Sequence, residues 1–181
     1  MAAAASLPDY LRPGLRIVFV GINPGRRSGA IGHHYAGVTN QFWRLLREAG
    51  LTPTLLGPEE DARVLEFGLG LTNIVSRMTP SSSDLSAADF AVGAPILAEK
   101  LHRCRPRIVC FNGKIIGERL LGPCRLGLQR RPFAGCRVFV VPSSSAANAA
   151  VSYARKLGYF RRLARLARTD DQTSEVRSQM V

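Results

Sequence analysis

Three short apolar runs punctuate the chain: Leu15–Val20 (LRIVFV), Arg107–Phe111 (RIVCF) and Arg137–Val141 (RVFVV). Each is rich in β-branched and aromatic residues and stops at Gly21, Asn112 or Pro142. Continuous apolar runs of this length, without polar alternation, read as strands buried on both faces. Between them the spacing becomes helical. Phe42, Trp43, Leu45 and Leu46 mark one apolar side of a helix that Thr39 or Asn40 caps and Gly50 ends. Glu59–Phe67 reads as a shorter helix, and residues 68–75 (GLGLTNIV) as an extended piece. Ser86 with Asp89 forms a capping-box pattern and opens a helix to about Arg103, with Gly93 and Pro95 expected to irregularise its first turns. A helix over 114–121 follows FNGK, and a long one ends near Ala167. From Arg168 the chain is polar and lacks aromatics, which reads as disorder.

Strands alternating with helices predict a layered α/β fold with a mainly parallel sheet. The expected organisation is an extension over 1–12, one domain over 13–167 and a tail over 168–181. Ligands of such sheets sit at the carboxyl ends of the strands. There the three runs end in polar loops: GINPG, NGK and PSSSAAN. Between Gly21 and Thr39 the chain is a long polar loop in which nothing helical is expected.

The 181 residues suit a single domain of ordinary size. Against 13 Asp and Glu stand 25 Lys and Arg, a formal charge of +12 with a pI near 10.7. That excess points to a polyanionic partner, nucleic acid first and an acidic membrane surface second. The competing explanation is arginine-based solubility reflecting gene composition, since lysine occurs only at 100, 114 and 156. No segment approaches the roughly 20 apolar residues of a membrane span. The start, MAAAASLPDYLRPG, lacks the features of a signal peptide. Cys104, Cys110, Cys124 and Cys136 show no CxxC spacing. Reduced thiols, a cytoplasmic location, no metal cluster and no disulfides are therefore expected, with Cys110 in the core.

Candidate chemistry gathers in the loops. GINPG places Asn23 just past a strand end, beside rigid Pro24 and permissive Gly25. An amide held there can orient a water or read an amide-like edge, but it cannot act as a general base. An ordinary turn asparagine is the alternative. GHHY (32–35) offers two histidines without a neighbouring acid or cysteine in sequence, which argues against a metal site. Tyr35 is either a stacking platform for a flat ligand or a loop tyrosine packed on the domain. FNGK lacks the rest of a P-loop, and GINPG is not GxGxxG, so nucleotide cofactors have no motif support. Lys114 is a phosphate contact or a solvated side chain. Ser143, Ser144 and Ser145, between a strand and a helix, suit a phosphate, or else ordinary capping. Arg155, Lys156, Arg161, Arg162, Arg165 and Arg168 give the last helix a basic, solvated surface.

Taken together, GINPG, GHHY, NQFW (40–43), GLTNIVSRMTPSSSDLS (70–86), FNGK and VPSSSA (141–146), in this order and at these intervals, resemble the mismatch-specific uracil/thymine-DNA glycosylases. These are a branch of the uracil-DNA glycosylase superfamily. The likeness covers about residues 13–166, and its wording is closer to the thymine-DNA glycosylase catalytic domain than to the short bacterial mismatch enzyme. The resemblance implies a three-layer α/β/α fold around a mainly parallel sheet of four to five strands. It also implies a monofunctional glycosylase without cofactor or metal, acting as a monomer on double-stranded DNA that carries a G:U or G:T mismatch. By position, Asn23 matches the water-positioning residue and Tyr35 the aromatic under the extruded base. Gly21, Ile22, Gly25, Ser28, His34 and Asn73 match the base pocket. Lys114, Ser143, Ser144 and Ser145 match DNA contacts, and Ala146, Ala147 and Asn148 the wedge that fills the duplex gap.

Two positions depart from that pattern. Arginine or leucine is the family's residue at the Ala147 position, and alanine fills a base-sized gap poorly. Ser28 stands where the thymine-specific members have alanine, which predicts a preference for uracil. A different main lesion (hypoxanthine or a modified pyrimidine) and a non-catalytic DNA-binding module are the alternative functions.

Overall fold

The computed structural model describes residues 6–179, with side chains as far as Thr169. Residues 1–5 of the expected extension and 180–181 of the expected tail lie outside the described residues. Five strands form one sheet: β1 (Ile17–Gly21), β2 (Leu69–Asn73), β3 (Ile108–Asn112), β4 (Gly127–Leu128) and β5 (Arg137–Val141). Their order is β2-β1-β3-β5-β4, parallel except for the two-residue β4 beside β5. Five α-helices surround the sheet: α1 (Arg26–Ile31), α2 (Phe42–Glu48), α3 (Ala87–Cys104), α4 (Lys114–Leu121) and α5 (Tyr153–Gln179). The shorter helix expected over Glu59–Phe67 is 3₁₀ and spans Pro58–Phe67.

The apolar runs become central strands because both of their faces are covered. Successive strand residues point to opposite sides. Ile17, Phe19, Ile108, Cys110, Phe139 and Val141 pack with α2, α5 and the 3₁₀ segment; Val18, Val20, Val109, Phe111, Val138 and Val140 pack with α3 and α4. A strand buried on both sides has no use for polar alternation. Phe19 is stacked on Phe160 at 6.0 Å and meets Phe42 edge-on at 5.2 Å, which locks α2 and α5 onto one face. The three layers expected for the fold are thus present.

Local signals placed most boundaries. Ser86 and Asp89 close their reciprocal capping box at the start of α3, and Asn40 Oδ1 accepts the Phe42 N–H at the start of α2. Helix α3 runs through Pro95 without interruption. Its Gly93 lies so near β2 that an added Cβ would come within 2.1 Å of the Ile74 carbonyl oxygen. Three differences matter. Strands β1 and β3 each run one residue beyond their apolar runs, to Gly21 and Asn112. The loop read as wholly non-helical contains α1, whose Ser28 turns inward and accepts the Ala36 N–H at 3.0 Å. Helix α5 continues through the polar segment after Arg168 as far as Gln179.

Candidate active site at the carboxyl ends of β1 and β3

The chain leaves β1 toward β2 on one side, while β3 and β5 lie on the other. Ligand clefts of open α/β sheets form at such a switch point. A cleft of about 340 Å³ opens there, and it draws together all three loops expected to converge. Gly21, Ile22, Asn23, Gly25, Ser28, His34, Tyr35 and Asn73 all line it, with Ser143, Ser144, Ser145 and Ala147 on the opposite rim. Lys114 and Asn148 line an adjoining groove that shares Ser143, Ser145 and Ala147 with the cleft.

Asn23 is held by its amide nitrogen. Nδ2 donates to Thr79 Oγ1 at 2.7 Å and to the Arg77 and Pro24 carbonyls at 3.2 Å each. Those contacts fix which end of the amide faces the cleft: Oδ1 has no donor among the described residues. The holding loop is itself anchored. The Arg77 guanidinium grips Asp89 with bonds of 2.7 and 2.9 Å, and the Thr79 N–H donates to the Pro24 carbonyl. Arg77 in turn holds the Asp89 carboxyl well below the usual aspartate range. The Ile22 and Asn23 N–H groups, at the end of β1, have no acceptor among the described residues.

One wall of the cleft is aromatic. Tyr35 lies on Phe42 with ring centroids 3.7 Å apart, so one ring face is fixed by the core. Its backbone φ of 52° is the left-handed region, an uncommon conformation for a tyrosine. Tyr35 Oη is buried beside Gly21 and Asn112 without a well-formed hydrogen bond, and burial raises its pKa above the ordinary tyrosine value. Gly21 leaves room for the Asn73 amide: an added Cβ would come within 2.3 Å of Asn73 Oδ1 and push that side chain aside. The Asn73 side chain has no hydrogen-bond partner among the described residues, leaving both ends of its amide to a ligand. Gly25, by contrast, has φ −74° and open space around its Cα.

The histidines point apart. His34 is buried, and its Nε2 lies 2.8 Å from the Pro8 carbonyl oxygen. A carbonyl only accepts, so Nε2 carries the proton; burial lowers the His34 pKa and favours the neutral ring. His33 meets Asp61 at 3.2 Å, and the same carboxylate accepts the His34 N–H at 2.9 Å. The absence of an acid beside the pair in sequence is therefore reversed in space. Asp61 is almost fully buried on the 3₁₀ segment and ties down the loop that presents Tyr35. With burial, it also pushes the Tyr10 phenol up to about 12.

The serine loop divides its labour. Ser144 is buried: its Oγ accepts from Asn112 Nδ2 and its N–H donates to Asn112 Oδ1, both at 2.9 Å. It anchors the loop to β3 from a buried position, whereas Ser143 and Ser145 are half-buried, and their hydroxyls accept the Ser145 and Ala147 N–H groups. Ala147 is exposed at the rim, and Lys114 is paired with Glu118 at 2.8 Å. Lys156, read from sequence as part of a solvated basic face, is only 2 % exposed, and burial lowers its pKa.

Sequence reasoning left out Thr79, Asn112, Asn40, Arg26 and Arg27, all of which line the cleft. Asn112 was findable, because it ends a strand at the ligand edge of the sheet. Thr79 was not, because only the fold brings it to Asn23. Among the described residues, no group of three or more His, Cys, Asp or Glu is arranged to hold a metal ion, and no helix is long and apolar enough to cross a membrane.

Comparison with known proteins bears on the fold and the family. The solution structure of a protein from Methanosarcina acetivorans, described as a candidate uracil DNA glycosylase, is similar in fold. Its TM-score is 0.57 at 23% identity, over 89% of this chain and 98% of that one. The family model of the uracil DNA glycosylase superfamily matches residues 8–165. By this match, which takes in the whole sheet and every residue of the cleft except Leu7, the chain belongs to the uracil DNA glycosylase superfamily.

Proposed function

We propose that this protein is a monofunctional DNA glycosylase of the mismatch-specific uracil/thymine type. It removes uracil, and thymine less well, from a mispair with guanine and leaves an abasic site. The observation that carries the reading is the Asn23 amide: its nitrogen is held by Thr79, Arg77 and Pro24, and its oxygen is free at the mouth of an aromatic-walled cleft. A base inside a duplex must leave the stack before it can reach such a cleft, at a cost of roughly a few kcal/mol that is smallest for a mispaired base. The extruded pyrimidine lies against the open side of Tyr35, and the Asn73 amide reads its polar edge.

The chemistry asks little of a base. As the C1′–N1 bond breaks, its electron pair goes to N1 of the pyrimidine and the sugar becomes oxocarbenium-like. A water that donates to Asn23 Oδ1 then adds to C1′ and releases its proton to solvent, from which the departed pyrimidine anion takes one up, so no strong general base is required. The Ile22 and Asn23 N–H groups lie beside the same loop and suit the charge that grows on the departing base. The +12 charge and the exposed arginines of α5 supply the field that draws duplex DNA. The protein acts as a monomer, with Ser143, Ser145 and Lys114 on the phosphates.

The discriminating experiment is single-turnover base release from one duplex sequence carrying U opposite G, U opposite A, T opposite G or hypoxanthine opposite T, and from single-stranded U. Release from U:G well ahead of U:A is the expected result. Equal release from U:G, U:A and single strand removes mismatch specificity and leaves a general uracil glycosylase. The small side chain of Ala147 favours one second reading, a different main lesion, which predicts hypoxanthine release ahead of uracil. Binding without release from any substrate leaves a non-catalytic module.

A further inference from the structure

The three lysines differ in a way that charge counting does not show. Lys100 pairs with Asp9 at 2.7 Å and Lys114 with Glu118 at 2.8 Å. Lys156 is the most buried of the three and has no carboxylate partner among the described residues. Its Nζ donates to two neutral oxygens, Gln41 Oε1 at 3.1 Å and the Ser145 carbonyl at 2.9 Å. A buried cation without a counter-charge is costly to keep, so what it touches is informative.

It touches both loops of the DNA-facing rim. Gln41 follows the segment that presents Tyr35 and Asn40, and its own N–H donates to the Ser144 carbonyl at 3.0 Å. The Ser145 carbonyl also accepts the Asn148 N–H at 3.2 Å and so closes the turn that carries Ala146 and Ala147. One ammonium group therefore stitches residues 41 and 145–148 together from beneath. The Ser145 carbonyl and the Ala146 N–H belong to one planar peptide group. A cation on the oxygen of such a group makes its N–H a stronger donor, because hydrogen bonds in a chain polarise one another. The Ala146 N–H has no acceptor among the described residues.

We propose that Lys156 is a positioning residue for the DNA-contacting loop: it fixes the Ser145–Asn148 turn against Gln41 and sharpens the Ala146 N–H as a donor to a phosphate flanking the extruded nucleotide. The inference rests on the glycosylase reading of the cleft. The anionic backbone of DNA supplies the counter-charge that the protein withholds, so the buried lysine is complementary to the complex rather than to the free protein.

The test is a chemical double-mutant cycle. Three versions of the duplex carry non-hydrolysable 2′-fluorouridine opposite G: one native, and one each with a neutral methylphosphonate at the 5′ or 3′ phosphate of that nucleotide. On the native duplex, Lys156→Met raises Kd about tenfold, the weight of one charge-assisted hydrogen bond. Lys156→Arg restores most of the loss. On one of the two methylphosphonate duplexes wild type is already weakened, and Lys156→Met costs nothing further. Replacing Ala146 by lactate, which exchanges its N–H for an ester oxygen without disturbing the core, reproduces the loss and keeps the proposal testable should Lys156→Met fold poorly. An equal loss with Lys156→Met on all three duplexes, or unchanged affinity with the ester, overturns the proposal. Wild-type base release from the hydrolysable U:G duplex separates the two readings. No release overturns the glycosylase reading; release together with an additive cycle overturns only the role of Lys156.

Discussion

The two rims of the cleft are built on opposite plans. On the β1 rim, a side chain is what matters: three oxygens hold the Asn23 amide nitrogen and thereby turn its oxygen outward. On the β5 rim, the side chains of Ala146 and Ala147 are minimal, and what is held is backbone, by Asn112, Gln41 and Lys156 from below. On the proposed reading, the difference follows from what each rim would meet. A single water must be placed to within a fraction of an ångström, which a rigid side-chain amide achieves. A phosphate-lined strand presents many acceptors at similar spacing, and successive N–H groups suit it. Stacking stands between the two plans, since the Tyr35 ring is oriented by core packing against Phe42 and by a strained backbone.

If chemistry resides on the first rim, Asn23→Ala should cause the largest loss. Single-turnover release from U:G is expected to fall by about a hundredfold or more, as for loss of a group that positions the attacking water. Affinity for the 2′-fluorouridine duplex should change little. Release at the wild-type rate would remove Asn23 from the mechanism. Tyr35→Ala comes next. It removes about 1–3 kcal/mol of base stacking, which should appear in both binding and rate; unchanged kinetics would place the platform elsewhere.

Thr79→Val sharpens the comparison, because it deletes the shortest-bonded of the three acceptors of Asn23 while keeping the volume of the side chain. One hydrogen bond of about 1 kcal/mol is lost, and the expected result is a several-fold drop in kcat with KM nearly constant. A rise in KM alone would mean that the loop shapes binding rather than the water. The smallest effect should come from the second rim. Ala147→Leu adds an apolar wedge at the position where the mismatch-specific glycosylases that the sequence resembles carry a bulky residue, and is expected to raise release from duplex U:G a few-fold while leaving single-stranded U unaffected. An equal change on both substrates would show that Ala147 does not lie in the duplex gap.

Much of this was legible in the chain. The three apolar runs became β1, β3 and β5 because continuous β-branched sequence has few other homes than the interior of a sheet. The capping box at Ser86 and Asp89 and the glycine stop at Gly50 formed where local chemistry placed them, since their partners lie within a few residues. Every residue assigned to the base pocket lines one cleft, because motifs at strand ends inherit their proximity from parallel strand order.

Tertiary structure decided what local pattern does not encode. Thr79 and Arg77 lie far from Asn23 in sequence, and only the packing of the loop after β2 brings them to its amide. Asp61 reaches the adjacent histidines because the 3₁₀ segment folds back under their loop. The basic residues of α5 look alike as letters, yet Arg155, Arg161, Arg162 and Arg165 face solvent while Lys156 is buried against two loops. The sequence by itself determined the three central strands and the helix caps, because those depend on neighbours and periodicity, and its motifs, by resemblance, marked some of the residues at the ligand edge. Which of those residues are held, by what, and with which atom turned toward the cleft depended on contacts between segments distant in the chain, and those exist only once the sheet is assembled.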